Sequence, residues 1–443
     1  MEFFGTDGIR DVAGEGRLAP GHVVRAGRAL ARLAAEGAGG APRIALGCDP
    51  RPSGPRLVAR LADAMRAEGA PAVDLGVLPT PAVAWAVVHD RLDLGVVVSA
   101  SHNPSEYNGI KPFARGGRKL TVEEEKRVEA WMREAEPTAP EAGPPSPGDG
   151  AARYVEATAR WLAEGGGLDR LRLVVDLSAG AASATAAAVL GALGAEVHTL
   201  HGAGERAIND GCGTQHPTAW LAALRADGAE AGLAFDGDAD RVLLADAEGT
   251  VLDGDDALAI LAQDALPRGA LPGERVVGTV MANLGLEERL ADLGVVLDRV
   301  PVGDRNVAER MRATGATLGG EPSGHVVLER EGALIGDGLV AGVRILQASR
   351  RLARPLDVLR RETPRYPQIL RNVRVKERRD FERDPDLVRA LRVAADALGS
   401  EGRLVVRYSG TEPLLRIMAE GHDPEAVEWA VASIAETVRK VSG

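Results

Sequence analysis

Cysteine and aromatic residues are scarce in this chain. Of its 443 residues only Cys48 and Cys212 are cysteines, and Phe, Trp and Tyr together make up 3%. Two distant cysteines without a CxxC partner argue against a disulfide framework or structural zinc. With so few rings, the cores must be packed mainly with Val, Leu, Ile and Ala. No apolar run approaches the ~18 residues that span a bilayer. The start, Met1-Glu2-Phe3-Phe4, lacks the basic stretch and apolar run of a secretory signal. A reducing cytoplasm is therefore the default expectation. Positive charge is also in deficit: 53 basic against 64 acidic residues leave a net charge of −11. That argues against the basic surface needed for non-specific nucleic-acid binding. It does not exclude a small anionic substrate, because a few cations focused in a cleft can outweigh the global field. Arg greatly outnumbers Lys, which reads as a compositional bias, so most single arginines carry no functional signal.

What is present is an alternation of helix and strand patterns long enough for about three units of ~150 residues. Short apolar runs at Arg43–Cys48, Leu94–Ser99, Leu171–Leu177 and Arg275–Val280 lead into small or polar turns. Pro55 to Gly69 reads as a helix with Leu57, Val58, Leu61 and Met65 on one face. Buried strands joined by such helices predict α/β architecture. Boundaries fall at the Pro/Gly-rich stretch Glu134–Gly150, near Glu248–Gly254 and near Arg361–Pro367. The smaller last unit ends in a helix capped by Asp423, started by Pro424 and lined by Val427, Val431, Ile434 and Val438.

Four segments could carry chemistry. The run Val96-Val97-Val98 ends in Ser99-Ala100-Ser101-His102-Asn103-Pro104, which sets Ser101 and His102 on an exposed turn at a strand's carboxyl end. By itself that string serves equally as an ordinary turn. In Asp236-Gly237-Asp238-Ala239-Asp240-Arg241, carboxylates two residues apart would point the same way on an extended segment. Their convergence calls for a hard cation such as Mg²⁺, and the flanking strand patterns disfavour a helical calcium loop. Gly319-Gly320-Glu321-Pro322-Ser323-Gly324-His325 could serve sugar hydroxyls, although a turn is the stronger reading of it alone. Arg407-Tyr408-Ser409-Gly410-Thr411-Glu412, with Arg416, could cradle a phosphate or form a turn. Lys111 adds a cation near the serine turn.

In this order the four segments resemble the α-D-phosphohexomutase superfamily over essentially the whole chain. The segments Phe4-Gly5-Thr6-Asp7-Gly8-Ile9-Arg10, Asn209-Asp210-Gly211-Cys212-Gly213, Val302-Gly303-Asp304-Arg305 and Tyr366-Pro367-Gln368 are similar to the branch acting on glucosamine phosphates. The resemblance implies three α/β domains with mixed sheets (1–148, 149–249 and 250–363) and a smaller C-terminal α+β domain (364–443) around a central cleft. It implies phosphoryl transfer between the 6- and 1-positions of a hexosamine phosphate, serving amino-sugar nucleotide and cell-wall precursor synthesis. The sister activity on mannose or glucose phosphates is the alternative.

By the same resemblance, Ser101 is a phosphoserine. Asp236, Asp238 and Asp240 hold Mg²⁺ together with a Ser101 phosphate oxygen. Glu321 and Ser323 bind sugar hydroxyls; Arg407, Ser409, Gly410, Thr411 and Arg416 hold the non-reacting phosphate. Arg10, His102, Lys111, Arg241 and His325 surround the transferring group. A hexose 1,6-bisphosphate is intermediate and activator. The partner is a small sugar phosphate, with no nucleic acid or membrane, and a homodimer is left open. Asp11 and Ala239 stand where glycine is usual, and Pro322 interrupts the sugar loop; none of these removes a donor or ligand.

Overall fold

The computed structural model describes all residues except 1, 6, 142–144, 377–382, 410–412 and 443. Four sheets follow one another along the chain. In the first, Leu94–Val98 lies parallel to Ile44–Cys48 and antiparallel to Tyr107–Ala114. Leu94–Val98 is buried throughout, as its unbroken apolar run requires of a strand covered on both faces. In the second, Arg172–Asp176 runs parallel to Ala231–Phe235 and Glu196–Leu200, and Val242–Asp246 returns antiparallel. In the third, Leu318–Gly320 lies parallel to Arg275–Thr279 and antiparallel to Val326–Arg330. The last sheet is antiparallel, with Leu414–Glu420 between Gln368–Arg374 and Arg403–Tyr408. Helices Pro385–Leu398 and Pro424–Ser442 accompany it.

These sheets share one device. In each unit the segment marked in the sequence joins two antiparallel neighbours: Val98 pairs with Ile110, Phe235 with Val242, Gly320 with Val326 and Tyr408 with Leu415. Each of the first three loops is thereby presented at a strand end.

The helix anticipated from Pro55 spans Gly54–Ala67, with Leu57, Val58, Leu61 and Met65 buried. The stretch from Glu134 to Gly150 is not linker alone, because Ser146–Pro147 pairs with the edge strand Ala72–Val77. Likewise Val251–Leu252, close to the second anticipated boundary, pairs back onto Val242–Asp246.

A single apolar cluster runs from Ala45 of the first sheet through Val175 and Phe235 of the second to Val276 and Leu318 of the third. Against it the Arg330 guanidinium lies over the rings of Trp85, Tyr154 and Trp161, at 5.4, 5.8 and 4.9 Å. The last unit has its own core, including Val373, Leu387, Ile417, Val427, Val431, Ile434 and Val438. Polar contacts join it to the third unit. Arg403 donates to the carbonyls of Val280 and Ala282, Leu284 N–H to Glu420, and Asn283 exchanges two hydrogen bonds with the Tyr366 backbone.

Candidate active site

Ser101 has φ +51°, a left-handed conformation that costs a non-glycine residue about 1–2 kcal/mol. The neighbouring bonds hold it there. Arg51, paired with Asp49 at 2.9 Å and fully buried, donates to the carbonyls of Ser101 and Asn103, each at 2.8 Å. Asn209, from the second unit, donates to the same two carbonyls at 2.8 and 2.9 Å. Ser99 Oγ accepts from Ser101 N and donates to Asp49. The exposed turn anticipated from the sequence is wrong in one respect: Ser101 is 2% exposed. The acidic loop covers it so closely that a Cβ on Gly237 would stand 2.4 Å from the Ser101 carbonyl oxygen. Only glycine permits that approach.

Arg51 and Asn209 carried no assigned role in the sequence reading. Arg51→Ala should cost about 3–5 kcal/mol, because it strands buried Asp49 and releases the loop carbonyls. Denaturant unfolding of the variant against the parent measures this; a loss below about 1 kcal/mol would contradict the clamp.

The acidic loop is a turn rather than an extended segment, with Ala239 at φ +58°. Its carboxylates converge because the backbone curls, not because side chains alternate. One ligand oxygen from each of Asp236, Asp238 and Asp240 lies within 4.8 Å of the others. Ser101 Oγ donates to Asp236 Oδ2 at 2.7 Å, and His102 Nδ1 stands 3.2 Å from the same hydroxyl. The Oδ1 atoms of Asp238 and Asp240 are buried without a hydrogen-bond partner. Burial, then Asp240 and Asp238, push Asp236 well above the usual carboxylate range. Three buried carboxylates with two orphaned oxygens are a donor set suited to a hard divalent cation, and Mg²⁺ fits.

A chain of alternating charge closes around this loop. Lys111 Nζ bridges Asp238 at 2.7 Å and Asp7 at 2.9 Å. Lys119 bridges Asp7 and Asp304, each at 2.5 Å. His325 stands 3.6 Å from both Asp304 and Asp240. Burial would lower Lys111, but Asp238 and Asp7 outweigh it and hold the ammonium above its normal range. Burial opposes the charge on His325 as well, yet Asp240 and Asp304 bring it up to about 9. His102 goes the other way: burial, then Arg241 and Arg10, push it down to about 4. At neutral pH, Lys111 and His325 are therefore cations and His102 is neutral.

Above the loop opens a cleft of about 510 Å³ lined by Arg10, His102, Asp240, Arg241, Glu321 and His325 among others. Arg10 Nη1 donates to Asn103 Oδ1 at 2.8 Å. Glu321 is held by the Gly303 N–H at 3.0 Å, while Ser323 is exposed. In the last unit Arg407 and Arg416 face each other across the hairpin, and Arg416 donates to Ser409 Oγ at 3.4 Å. Burial, then Arg416, lower Arg407, and Glu321 offsets part of this. Two adjacent guanidiniums favour an anion between them. Gly410 and Thr411, anticipated in the same cradle, lie outside the described residues. Asp7, Lys119, Asp304 and Thr80, whose hydroxyl donates to Asp238 at 2.6 Å, were not singled out as site residues.

Comparison with known proteins agrees along the whole chain. Residues 1–139, 152–249 and 253–366 match the phosphoglucomutase/phosphomannomutase alpha/beta/alpha domains I, II and III, and residues 370–437 match the C-terminal domain. The phosphoglucosamine mutase of Symbiobacterium thermophilum is 44% identical, and that of Moorella thermoacetica 43%, each match covering 98% of both chains. Among solved structures, a phosphoglucomutase/phosphomannomutase family protein from Burkholderia thailandensis superposes with a TM-score of 0.82 at 27% identity, covering 99% of this chain and 97% of that one. The Aspergillus fumigatus N-acetylphosphoglucosamine mutase, bound to GlcNAc-6P and magnesium, shares the fold at a TM-score of 0.67 and 16% identity, covering 100% and 96%. With every unit matched in order and relatives above 40% identity from end to end, the chain belongs to the phosphoglucomutase/phosphomannomutase family.

Proposed function

We propose that this chain is a phosphoglucosamine mutase, interconverting glucosamine 6-phosphate and glucosamine 1-phosphate through phosphoserine 101 and a 1,6-bisphosphate. The observation that carries the mechanism is the buried Ser101 hydroxyl, 2.7 Å from Asp236 of the three-carboxylate turn. The substrate assignment rests on the phosphoglucosamine mutases that match end to end. Units 1–148, 149–249, 250–363 and 364–443 each supply one loop.

Phosphomonoesters are inert and highly charged, so the protein must mainly position them and balance charge. Asp236, Asp238 and Asp240, with a phosphate oxygen on Ser101, would hold Mg²⁺, which supplies charge neutralisation and Lewis acidity when bound. Arg407, Ser409 and Arg416, with Gly410 and Thr411, seat the substrate's own phosphate, and Glu321 and Ser323 bind sugar hydroxyls. The free sugar hydroxyl then faces Ser101. The P–Oγ bond breaks as the new P–O bond forms; the sugar hydroxyl gives up its proton and Ser101 Oγ gains one. His102, neutral and 3.2 Å from Oγ, orients the serine. Lys111, Arg10, Arg241 and His325 stabilise charge spread over the phosphoryl oxygens. The bisphosphate turns round, and the second transfer restores phosphoserine.

No helix among the described residues is long and apolar enough to cross a membrane, and the proposal places the enzyme in the cytoplasm with its sugar phosphates. The second reading is the sister activity on mannose or glucose phosphates. With Mg²⁺ and catalytic hexose 1,6-bisphosphate present, kcat/KM for glucosamine 6-phosphate should exceed that for mannose 6-phosphate by about tenfold or more. The reverse order would transfer the assignment to the sister activity.

A further inference from the structure

The carboxyl edge of the second sheet carries a second group of metal-ligating side chains, apart from the acidic loop. Asp176 ends the strand Arg172–Asp176, and His201 follows the neighbouring parallel strand Glu196–Leu200. Cys212 comes in on the loop that leads to the Gly213–Gln215 turn. One carboxylate oxygen, one ring nitrogen and the sulfur lie within 4.8 Å of one another. His201 Nδ1 is 3.1 Å from Asp176 Oδ2. Tetrahedral zinc, with bonds of about 2.0–2.3 Å, places its ligands roughly 3.3–3.7 Å apart, so shifts of about an ångström would suffice.

The surroundings are those of a built site. Asp176 is fully buried and Cys212 is 1% exposed, while the His201 side chain at 18% leaves an approach from solvent. The Asp176 carboxylate is fixed by the N–H groups of Ser178 and Gly213, at 2.8 and 2.9 Å. Carboxylate oxygens have lone pairs to spare beyond one such bond. The His201 Nδ1 atom is buried and makes no hydrogen bond, although it stands 3.1 Å from Asp176 Oδ2. Sequence spacing argued against structural zinc because the two cysteines are far apart and lack a CxxC partner; the parallel strands supply what spacing does not.

We propose that Asp176, His201 and Cys212 form a second metal site, selective for a borderline-soft cation of the Zn²⁺ type. A thiolate and an imidazole favour zinc, whereas Mg²⁺ prefers an all-oxygen shell. Binding breaks the Cys212 S–H bond, forms a sulfur–zinc bond and releases the proton to solvent; His201 binds as the neutral ring. The site does not depend on the phosphoserine reading, but it touches the same machinery. Asn209, three residues before Cys212, clamps the serine loop and accepts from Ser178 Oγ at 2.9 Å. A cation here would tie residues 209–213 to the second sheet and so tune that clamp.

The test uses the full-length protein with excess Mg²⁺, titrated with Co²⁺ as a spectroscopic probe and with Zn²⁺ against a chromophoric chelator. The expected result is one equivalent of Co²⁺ giving sulfur-to-cobalt charge transfer in the near ultraviolet. Cys48→Ser should retain that band and Cys212→Ser should lose it. His201→Gln should weaken Zn²⁺ binding by on the order of 100-fold. Cobalt binding without a thiolate band, or unchanged zinc affinity in His201→Gln, would overturn the site. Should Cys212→Ser not fold, the parent spectrum and the histidine variant still decide.

Discussion

Ser101→Ala should abolish mutase turnover, lowering kcat by about 10⁴-fold or more, as removal of a covalent nucleophile generally does. On the proposed mechanism, the substitution takes away the acceptor and donor of the phosphoryl group and leaves the rest of the site standing. Alanine tolerates the same left-handed backbone as serine, and the clamp acts through carbonyls the variant keeps. Arg407 and Arg416 lie on another unit, so sugar-phosphate binding should persist. The coupled assay on glucosamine 6-phosphate reads the loss, and ligand titration reads what remains. Phosphopeptide mass spectrometry of the parent should find acid-stable phosphate on Ser101. A labile acyl phosphate on Asp236 with release of free phosphate would point to a phosphatase instead. Undiminished turnover in Ser101→Ala would end the mutase mechanism.

The second large effect has two opposite faces. Asp236→Asn should lower Mg²⁺-supported turnover by about 10³-fold while stabilising the metal-free fold. A carboxyl whose folded value is raised is most favourable below its unfolded value of 3.8, and that stability is lost as pH rises through the folded value. Above that unfolded value the metal-free protein carries the cost of gathering Asp236, Asp238 and Asp240, whether as repulsion or as an extra proton held at 236, and an amide there relieves it. Asp236 is the right choice of the three, because Asp238 pairs with Lys111 and Asp240 faces His325. Denaturation midpoints with and without Mg²⁺ should lie farther apart in the parent than in the variant. A variant less stable than the metal-free parent would show that the convergence is not repulsive.

The places where sequence reading succeeded and failed have physical reasons. Strand ends were legible because a β-branched run that stops in small polar residues is a local signal; Leu94–Val98 and Arg275–Thr279 fall within a residue of their expected limits. The last helix was legible because cap, proline and apolar stripe are all local, and Asp423 does accept from Glu425 N–H at 2.9 Å. The acidic loop was recognised for its composition, but its shape depends on a turn that alternation does not encode. Arg51 went unnoticed among many arginines, since only the fold brings it under a loop fifty residues away. Asn209 and Asp304 lay in strings similar to the family, yet nothing local says that one holds the serine loop and the other faces His325. Asp7 and Lys119 matter through each other, and their pairing spans 112 residues.

Continuity of packing also divides the molecule into two cooperative bodies of unequal size. Because apolar contacts run unbroken through the first three sheets, those units should melt together as one block. The last unit, closed on its own core and attached through hydrogen bonds, can come loose at far lower free energy. Heating should then give a small calorimetric endotherm from this last unit ahead of a large one, and a bound sugar phosphate bridging both bodies should draw the two together.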